Sequence, residues 1–457
     1  MKKQTIYGPP GTGKTTYLLG VLEKELLQVH PNQMAFISFT KQGTYEGTSR
    51  AAKRFKLKKE ELLYFRTLHS LCFKELGVNR QDMISKNNYR VLSQKTGISF
   101  TGYYTEDFSS SNDEYLHIVA MEKHNMPLAR KLLRFKSKKK FEYVKFQYNE
   151  MKRQLGIIDF DDLLLNYLDL GKPLDIKAAF IDEAQDLTNL QWTAALRLLQ
   201  NVERIYIAGD DDQAVYEWAG ADVNKFLRFS DNNVVLNKSY RLPDSVLRLA
   251  KKITRDIRNR KQKAFVSNGT EGEVNIVSQN KVNFSGGELV LARTNSILRK
   301  LTVEAVKKGM VFKIKGKSSI DKRILRAITA YDKFVAGELT PRKLNPHMAL
   351  FKDASVNKIW QSVLKLPAYE IAYYEKVLAS SALEKPPIEF ETFHSSKGSE
   401  SEHVVLSVNL SAKVLENFKN NLSAELRCLY VGMTRSKNKL TLLQPESALV
   451  YPNKYFK

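Results

Sequence analysis

Apolar positions at the start of the chain predict the opening of a parallel α/β sheet. Thr5-Ile6-Tyr7 is a short apolar strand, and Tyr17 to Val29 carries leucines every four residues, as one face of a helix does. A second apolar stretch, Met34 to Phe39, follows that helix at once. A strand, a loop, a helix and a strand in this order begin a sheet whose strands run parallel.

The pattern then changes twice, and each change predicts a helical segment that interrupts a sheet. Residues 75–155 are rich in lysine and follow helical spacing, before apolar strands return at Ala178 to Ile181 and Ile205 to Ala208. Further strands are predicted in the second half at Leu289 to Ala292, Val404 to Leu406 and Leu440 to Leu443. The stretch 317–387 between them has no strand pattern, so we predict two α/β domains, each with an insertion.

The charge of the chain indicates the kind of partner that the protein binds. The 457 residues include 73 Lys and Arg against 49 Asp and Glu, a net charge of +24, with local runs at Lys136 to Lys140 and Arg255 to Lys263. Such an excess indicates a polyanionic partner, usually nucleic acid, although a generically basic surface stays open. The chain also has 21 Tyr and 23 Phe, whose rings suit stacking on the bases of a single strand.

Other classes of protein fit this composition less well. No apolar run approaches the roughly 20 residues that span a bilayer. Met1 to Gln4 leads straight into a strand, so we expect no signal peptide. Cys72 and Cys428 give neither a disulfide framework nor a metal cluster. We therefore expect a cytoplasmic protein of a bacterial or virus-infected cell.

A phosphate-binding loop is predicted between the first strand and the first helix. There the chain runs Gly8-Pro9-Pro10-Gly11-Thr12-Gly13-Lys14-Thr15, followed by Thr16, and matches G-x-x-x-x-G-K-T in full. The glycines let backbone N–H groups surround the phosphates of ATP, helped by the helix N-terminus. We expect Lys14 to reach the β- and γ-phosphates and the Thr15 hydroxyl to bind Mg²⁺.

A pair of carboxylates completes the predicted chemistry of nucleotide hydrolysis. The apolar strand Phe180-Ile181 ends in Asp182-Glu183. We expect Asp182 to hold Mg²⁺ and Glu183 to accept a proton from the attacking water. Acidic pairs at strand ends are common, so this pair indicates hydrolysis only in combination with the phosphate-binding loop. Together they predict hydrolysis of a nucleoside triphosphate without indicating what it drives.

Several ordered motifs carry a resemblance to a known family. Besides Asp182-Glu183-Ala184-Gln185-Asp186, the chain contains, in order, Phe39-Thr40-Lys41, Thr67-Leu68-His69, Ile158-Asp159-Phe160-Asp161-Asp162-Leu163, Gly209-Asp210-Asp211-Asp212-Gln213, Tyr216-Glu217-Trp218-Ala219-Gly220-Ala221, Ser239-Tyr240-Arg241, Ala292-Arg293-Thr294-Asn295, Thr392-Phe393-His394-Ser395-Ser396-Lys397-Gly398-Ser399-Glu400 and Leu429-Tyr430-Val431-Gly432-Met433-Thr434-Arg435. Over residues 5 to about 443, outside the two insertions, the chain resembles the superfamily 1A helicases of the UvrD, Rep and PcrA type.

The resemblance implies a fold and its domain limits. The family has two RecA-like parallel-sheet motor domains, each interrupted by a mainly helical insertion. Transferred to this chain, the segments are 1–74 and 156–240 for motor domain 1, 75–155 for its helical insertion, 241–316 and 388–457 for motor domain 2, and 317–387 for the short second insertion.

The resemblance also implies roles for individual residues at the ATP site. Arg241 and Arg435 match the arginines that contact the γ-phosphate, and Gln213 matches the glutamine that detects its loss. Glu400 corresponds to a nucleotide contact from the second motor domain. Tyr240 corresponds to the ring that stacks on adenine. Only seven residues precede Gly8, and the family's L-N-x-x-Q adenine segment is not among them, so we expect Tyr240 to supply most of the adenine contact.

Two further sets of positions match residues of the family that contact the nucleic acid. Base-contacting rings correspond to Phe39, Tyr216 and Trp218. Backbone contacts correspond to Thr67, His69, Thr392 and His394. Taken singly, such a ring or histidine is more often a packed or surface residue. This chain has Ala219 where the family has an arginine that links the tryptophan to the ATP site, so either coupling is weaker or another basic residue supplies the link.

We therefore expect an ATP- and Mg²⁺-dependent 3′-to-5′ DNA helicase or translocase that acts on single-stranded DNA and duplex junctions. Two alternatives stay open: a single-strand translocase that displaces proteins without processive unwinding, and a nucleic-acid-binding module switched by ATP. Partners would be replication, repair or recombination proteins, with no membrane. A monomer is expected and an oligomer stays open.

Overall fold

The chain folds into two compact units in a computed structural model that describes residues 1–38, 41–102, 112–124, 137–352, 358–444 and 449–456. Unit 1 comprises Met1–Leu242 and Thr254–Gly269, and unit 2 comprises Pro243–Ile253 and Thr270–Lys457. The predicted class, two α/β domains with parallel sheets, is confirmed. The stretch Thr254–Gly269 belongs to unit 1, although the predicted limit at residue 240 assigns it to the second domain. The finer domain limits stay predictions.

Unit 1 is built on a parallel sheet. Its strands in the described residues are β1 (Lys2–Tyr7), β2 (Met34–Ser38), β3 (Tyr64–Thr67), β4 (Ala178–Asp182), β5 (Arg204–Gly209) and β6 (Asn233–Val235). Their order in the sheet is β3-β2-β4-β5-β1-β6, and all neighbours run parallel. The carboxyl ends of β4, β5 and β1 therefore meet at one edge, which is where ligands bind in open parallel sheets.

Helices cover both faces of that sheet. In the described residues, the helices of unit 1 are α1 (Lys14–Glu25), α2 (Lys41–Phe55), α3 (Leu68–Glu75), α4 (Lys86–Thr96), α5 (Asp113–Lys123), α6 (Lys138–Leu155), α7 (Phe160–Leu170), α8 (Asn189–Leu198) and α9 (Val223–Leu227). Leu18 and Leu22 of α1 are buried with Phe36 and Phe180 of the sheet. Helices α4, α5 and α6 share a separate apolar cluster, which gives the predicted insertion a core of its own.

Unit 2 has a second, mostly parallel sheet. The described strands are β7 (Glu273–Val277), β8 (Leu289–Ala292), β9 (Phe312–Ile314), β10 (Lys317–Ser318), β11 (Ile388–Thr392), β12 (Ser401–Ser407) and β13 (Ser436–Leu443). Their order is β10-β9-β11-β8-β12-β13-β7, and β10 alone of the described strands runs antiparallel to its neighbour. The helices of its described part are α10 (Asp244–Arg255, whose last two residues belong to unit 1), α11 (Asn295–Lys307), α12 (Lys322–Val335), α13 (Pro341–Leu344), α14 (Trp360–Val363), α15 (Ala368–Leu378), α16 (Ala412–Asn420) and α17 (Leu422–Met433).

The ends of both helices and strands differ from the predicted ones by several residues: β13 begins at Ser436, for example, whereas the predicted strand begins at Leu440. The leucine pattern predicts a helix at 17–29, whereas α1 runs from Lys14 to Glu25. The apolar stripe identifies a buried face but not the ends, and here the phosphate-binding loop sets the start: Gly13 is the N-cap residue, with φ 77°. None of the helices in the described ranges is both long and apolar enough to cross a bilayer.

Candidate nucleotide and nucleic-acid site

The loop between β1 and α1 folds closely around its own lysine. Lys14 Nζ donates to the carbonyl oxygen of Gly8 at 3.0 Å. A Cβ on residue 8 would lie 2.0 Å from Lys14 Cγ, so only glycine leaves room for that side chain. Pro9, Pro10 and Thr12 are buried, and Thr16 is exposed. The loop thus holds an ammonium group beside the start of a helix, an arrangement that binds phosphate.

Thr15 and Asp182 bring two hard oxygen donors together. Thr15 Oγ1 donates to Asp182 Oδ2 at 2.6 Å, where β4 ends beside the loop. Burial, and then the neighbouring Glu183, raise the pKa of Asp182 to about 6, so a cation placed beside this carboxylate would be stabilising. Magnesium prefers such oxygens and completes its shell with water and phosphate oxygens. The pair fits Mg²⁺, and within the described residues no group of three or more His, Cys, Asp or Glu forms a separate metal site.

Glu183 occupies a strained backbone position. Its φ of 53° and ψ of 39° lie in the left-handed region, which is unusual for a residue with a side chain. Its Oε1 lies 3.9 Å from Lys14 Nζ. The strain turns the carboxylate towards the phosphate-binding loop, the position that a general base needs.

A hydrogen-bond chain, called here the relay, connects Glu183 with Gln213. Gln185 Nε2 donates to Glu183 Oε2 at 2.6 Å, and Gln185 Oε1 accepts from the backbone N–H of Asp210 at 3.0 Å. Gln213 Nε2 donates to Asp210 Oδ2 at 2.7 Å. Gly209 is required in this arrangement, because a Cβ there would lie 2.3 Å from Gln185 Oε1. The relay joins the ends of β4 and β5.

The segment Ser239-Tyr240-Arg241 lies directly on the phosphate-binding loop. Ser239 Oγ donates to the Pro10 carbonyl at 2.7 Å, and the backbone N–H of Tyr240 donates to the Gly11 carbonyl at 2.8 Å. A Cβ on Gly11 would lie 2.3 Å from the Cβ of Arg241. The ring of Tyr240 is 72% exposed and available for stacking. The structure therefore brings Tyr240 and Arg241 to the predicted ATP site.

The stretch Thr254–Gly269, called the strap, returns to unit 1 and holds the loop that precedes Gln213. Lys263 Nζ lies 2.9 Å from Asp210 Oδ1, 2.5 Å from Asp211 Oδ1 and 2.9 Å from Asp212 Oδ2, with no exposed side-chain surface. Arg260 makes a two-pronged contact with Asp212 at 2.8 and 2.6 Å. Part of the basic run taken as a sign of a polyanionic partner is thus bound inside the protein.

Two predicted backbone-contact residues lie at the start of α3. Thr67 is its N-cap and accepts from the N–H of Ser70 at 3.3 Å. His69 is half-buried, with its ring 5.4 Å from that of Phe160. Burial lowers the pKa of His69, so it is neutral at pH 7. Phe39 lies outside the described residues.

The predicted base-stacking segment is held by helix α5. Trp218 and Tyr216 are half-buried. His117 Nε2 lies 3.1 Å from the carbonyl oxygen of Trp218, so it acts as the donor, and the two rings are 5.7 Å apart. His124, at the end of α5, contacts Asp161 at 3.0 Å. One histidine of the insertion, His117, therefore contacts the tryptophan next to Ala219, where the family has arginine.

The predicted site residues of unit 2 lie around β11 and the end of α17. Thr392 Oγ1 accepts from the N–H of Ser395 at 3.2 Å, and His394 Nε2 lies 3.4 Å from Cys428 Sγ. Glu400 pairs with Lys437 at 2.7 Å. The guanidinium of Arg435 is buried and donates to the carbonyls of Val431 and Ser399 at 2.9 and 3.3 Å. Their contacts with nucleotide and DNA stay predictions.

Three residues at the site were missed from the sequence. Gln185 lies inside a recognised motif, but the sequence alone assigns it no role. Its position between Glu183 and Asp210 follows only from the pairing of β4 with β5. His117 and Lys263 are separated by about a hundred and about fifty residues from the segments they hold. No local pattern indicates such contacts.

The chain matches family models in both halves. Residues 1–233 match the UvrD/REP helicase N-terminal domain, and residues 369–447 match the UvrD-like helicase C-terminal domain. These matches cover the phosphate-binding loop, the relay and the segment that ends in Arg435.

Curated relatives include three bacterial helicases. The ATP-dependent DNA helicase PcrA of Staphylococcus aureus is 24% identical over 58% of this chain and 39% of its own length. The ATP-dependent DNA helicase Rep of Buchnera aphidicola is 26% identical over 52% of this chain and 41% of its own. PcrA of Leuconostoc citreum is 24% identical over 68% and 48%. The chain spans less than half the length of each of these relatives.

Solved structures give a weaker likeness. The helicase nonstructural protein 10 of an arterivirus has a TM-score of 0.37 and 13% identity, over 98% of this chain and 61% of that one. Its complex with DNA has a TM-score of 0.38, likewise at 13% identity, over 98% and 62%. These values are too low to bear on function.

Proposed function

Since the chain belongs to the UvrD/REP helicase family, we propose that it is an ATP-driven motor that moves 3′ to 5′ on single-stranded DNA and separates the strands of a duplex. The observation that carries the proposal is the relay. It runs from Glu183, beside Lys14, through Gln185 and Asp210 to Gln213. Hydrolysis and detection of the γ-phosphate are thereby mechanically linked.

The same loop leads on to the proposed track contacts. Three residues after Gln213 the chain reaches Tyr216, and Trp218 follows in a short 3₁₀ turn held by His117. A change in the position of Gln213 is therefore transmitted through this short backbone segment to a ring that stacks on a base. Stacking contributes about 1–3 kcal/mol per base and does not depend on sequence, which suits a protein that moves along its track.

In the proposed reaction, Thr15 and Asp182 would hold Mg²⁺, which would supply positive charge against the phosphates of ATP. Lys14 binds the same phosphates, and Glu183 orients the attacking water and accepts its proton. Arg241 lies against Gly11 and contributes positive charge near the γ-phosphate. We propose Glu400 and Arg435 as further contacts to the nucleotide.

Partial duplexes with a 3′ or a 5′ single-stranded overhang test this proposal. With ATP and Mg²⁺ at fixed salt, we expect unwinding from the 3′ overhang only. Lys14→Ala should abolish it, since the γ-phosphate loses its ammonium contact. Unwinding from the 5′ overhang alone would overturn the polarity.

A second candidate function is translocation that displaces bound proteins without processive unwinding. The nucleotide site is the same for both. The stretch 317–387 is short, and its regular elements in the described residues are short helices and β10. It favours this candidate because it leaves little structure to hold a duplex. ATP-dependent release of a protein from the end of an oligonucleotide, without unwinding from either overhang, would support it.

A further inference from the structure

We propose that Lys263 is a positioning residue for ATP hydrolysis, which acts through Asp210 on both Gln213 and Glu183. The inference rests on the function proposed above and adds to it a residue outside the family motifs. It assigns to the strap the task of fixing the relay.

The strap enters unit 1 in a way that buries one cation. Lys263, Phe265 and Ser267 are buried, while Gln262, Ala264 and Val266 between and beside them are exposed. This alternation is that of an extended segment with one face against the protein. One of the three inward positions is thus occupied by an ammonium group with no exposed surface. A lysine is so placed only where carboxylates compensate for its loss of water.

Asp210 is the point where the strap meets the relay. One of its oxygens, Oδ1, contacts Lys263 Nζ at 2.9 Å. The other, Oδ2, accepts from Gln213 Nε2 at 2.7 Å. The orientation of a single carboxylate is thus fixed from one side by the strap and determines the Gln213 amide on the other. Through its backbone N–H, the same residue holds Gln185 at 3.0 Å.

The ammonium remains charged at neutral pH. Burial acts to lower the pKa of Lys263, but the carboxylates of Asp210, Asp212 and Asp211 outweigh it and raise that pKa above its ordinary range. Arg260 binds Asp212 separately, and the backbone N–H of Lys261 donates to Asp211 at 2.8 Å. Of these three strap residues, Lys263 is the one that contacts Asp210.

The strap also holds the other side of the nucleotide site. Val266 O accepts from the backbone N–H of Ser239 at 2.9 Å, and Asn268 Nδ2 donates to the Arg241 carbonyl at 3.2 Å. Both ends of the strap continue into unit 2, at Ile253 and at Thr270. One segment therefore fixes the residues proposed to sense and to stabilise the γ-phosphate.

The test compares Lys263→Met with a control of similar burial in the same unit. Lys152 is also a buried lysine between two carboxylates, Asp159 at 2.8 Å and Asp162 at 2.5 Å, and neither belongs to the relay. Lys152→Met therefore lowers the stability without disturbing Gln213. A third variant, Lys263→Met with Asp211→Asn, removes one positive and one negative charge together and so restores the charge balance of the cluster.

Steady-state ATP hydrolysis in saturating oligo(dT), together with thermal unfolding, gives the readout. For Lys263→Met we expect kcat to fall about tenfold or more, as misplaced catalytic groups cause, while KM for ATP changes less than about threefold. Lys152→Met should keep kcat at the wild-type value. The double variant should regain thermal stability and keep the low kcat, because Asp210 still lacks its ammonium. If Lys263→Met alone does not fold, kcat of the double variant is compared with that of Lys152→Met instead.

Two outcomes would overturn the inference. One is that Lys263→Met and Lys152→Met have the same kcat, and the other is that kcat of the double variant recovers together with its stability. Either would make Lys263 merely structural. Failure of the proposed function is distinguishable, because the wild-type protein itself would then show no response of ATP hydrolysis to oligo(dT).

Discussion

Single backbone positions decide whether the nucleotide site can form. Gly11 has φ +72°, and a side chain there would meet the Cβ of Arg241 at 2.3 Å. Gly97, at the end of α4, has a similar φ of +67° but no atom within 4 Å of a Cβ. The two glycines share a conformation and differ in what surrounds them, which separates backbone strain from the contact with Arg241.

Replacing each glycine by alanine should therefore give different results. Gly97→Ala is expected to lower the free energy of unfolding by about 1–2 kcal/mol, the cost of a left-handed alanine, with unchanged ATP hydrolysis. Gly11→Ala carries that strain and also displaces Arg241, so we expect kcat to fall by about tenfold or more. Equal kcat values for the two variants would contradict the placement of Arg241 at the site.

Glu183→Gln tests the general base. The amide cannot accept a proton, so kcat should fall by about 10²–10⁴-fold, while ATP binding, measured with a fluorescent analogue, persists. Glu23→Gln is the control, because Glu23 lies exposed on α1 in a surface pair with Arg54. Retained unwinding in Glu183→Gln would instead favour a module switched by ATP binding alone.

At this scale the sequence identifies segments that the structure brings together at the phosphate-binding loop, while their chemistry stays a prediction. Gly8 to Thr15 and Asp182-Glu183 are short segments whose function depends on neighbours in the chain, so their spacing identifies them. Gln185, His117 and Lys263 act through contacts made only when distant segments meet. Their roles follow from strand order and from the return of the strap to unit 1, which no periodicity in the sequence encodes.

At the scale of elements, helix α5 joins the insertion to the proposed DNA-contacting segment. His117 holds the Trp218 carbonyl. Lys123, the last residue of α5, contacts Asp159 at 2.6 Å and Asp162 at 2.7 Å at the start of α7. The sequence predicts the helices of this insertion from their spacing, but their ends and contacts depend on caps and distant carboxylates.

The buried imidazole of His117 makes unit 1 sensitive to acid. Burial lowers the pKa of His117 from 6.5 to about 4, so between these values the unfolded chain takes up a proton that the folded one does not. Stability is therefore lost as the pH falls below 6.5, by about 2 kcal/mol at pH 5. Urea unfolding of the protein and of His117→Gln at pH 7 and pH 5 measures this loss.

The glutamine variant isolates the histidine. Its amide can still donate to the Trp218 carbonyl but does not titrate, so its stability should change less between the two pH values. The raised pKa of Asp182 acts in the opposite direction in part of this range, and it contributes equally to both proteins. An identical loss in both would exclude His117 as the cause.

For the whole molecule, some of the 73 Lys and Arg residues are internal, whereas the net charge of +24 is not reduced by them because carboxylates offset each internal cation. Lys123, Lys152, Arg260 and Lys263 bind carboxylates within unit 1, so fewer cations than the composition suggests face a polyanion. Charge alone thus predicts a nucleic-acid partner without indicating which residues make the contact. The division into two α/β units was predictable because each sheet has its own series of apolar strands.

Binding to single-stranded DNA should weaken steeply with salt. Each phosphate neutralised releases a counterion, so log Kobs is expected to fall linearly with log salt, with a slope of about −0.7 per contacted phosphate. Fluorescence anisotropy of labelled oligo(dT) between low and physiological salt measures the slope. Affinity independent of salt would contradict an electrostatic contact with the backbone.

The central claim is that the nucleotide site and the DNA-contacting segment are coupled, so that bound single-stranded DNA changes the rate of ATP hydrolysis. The rate of ATP hydrolysis with and without single-stranded DNA, at one Mg²⁺ and salt concentration, tests it most directly. The relay and the adjoining Tyr216–Trp218 segment predict that oligo(dT) raises kcat by about tenfold or more and that Lys14→Ala abolishes the activity. Hydrolysis at the same rate with and without DNA would contradict the account.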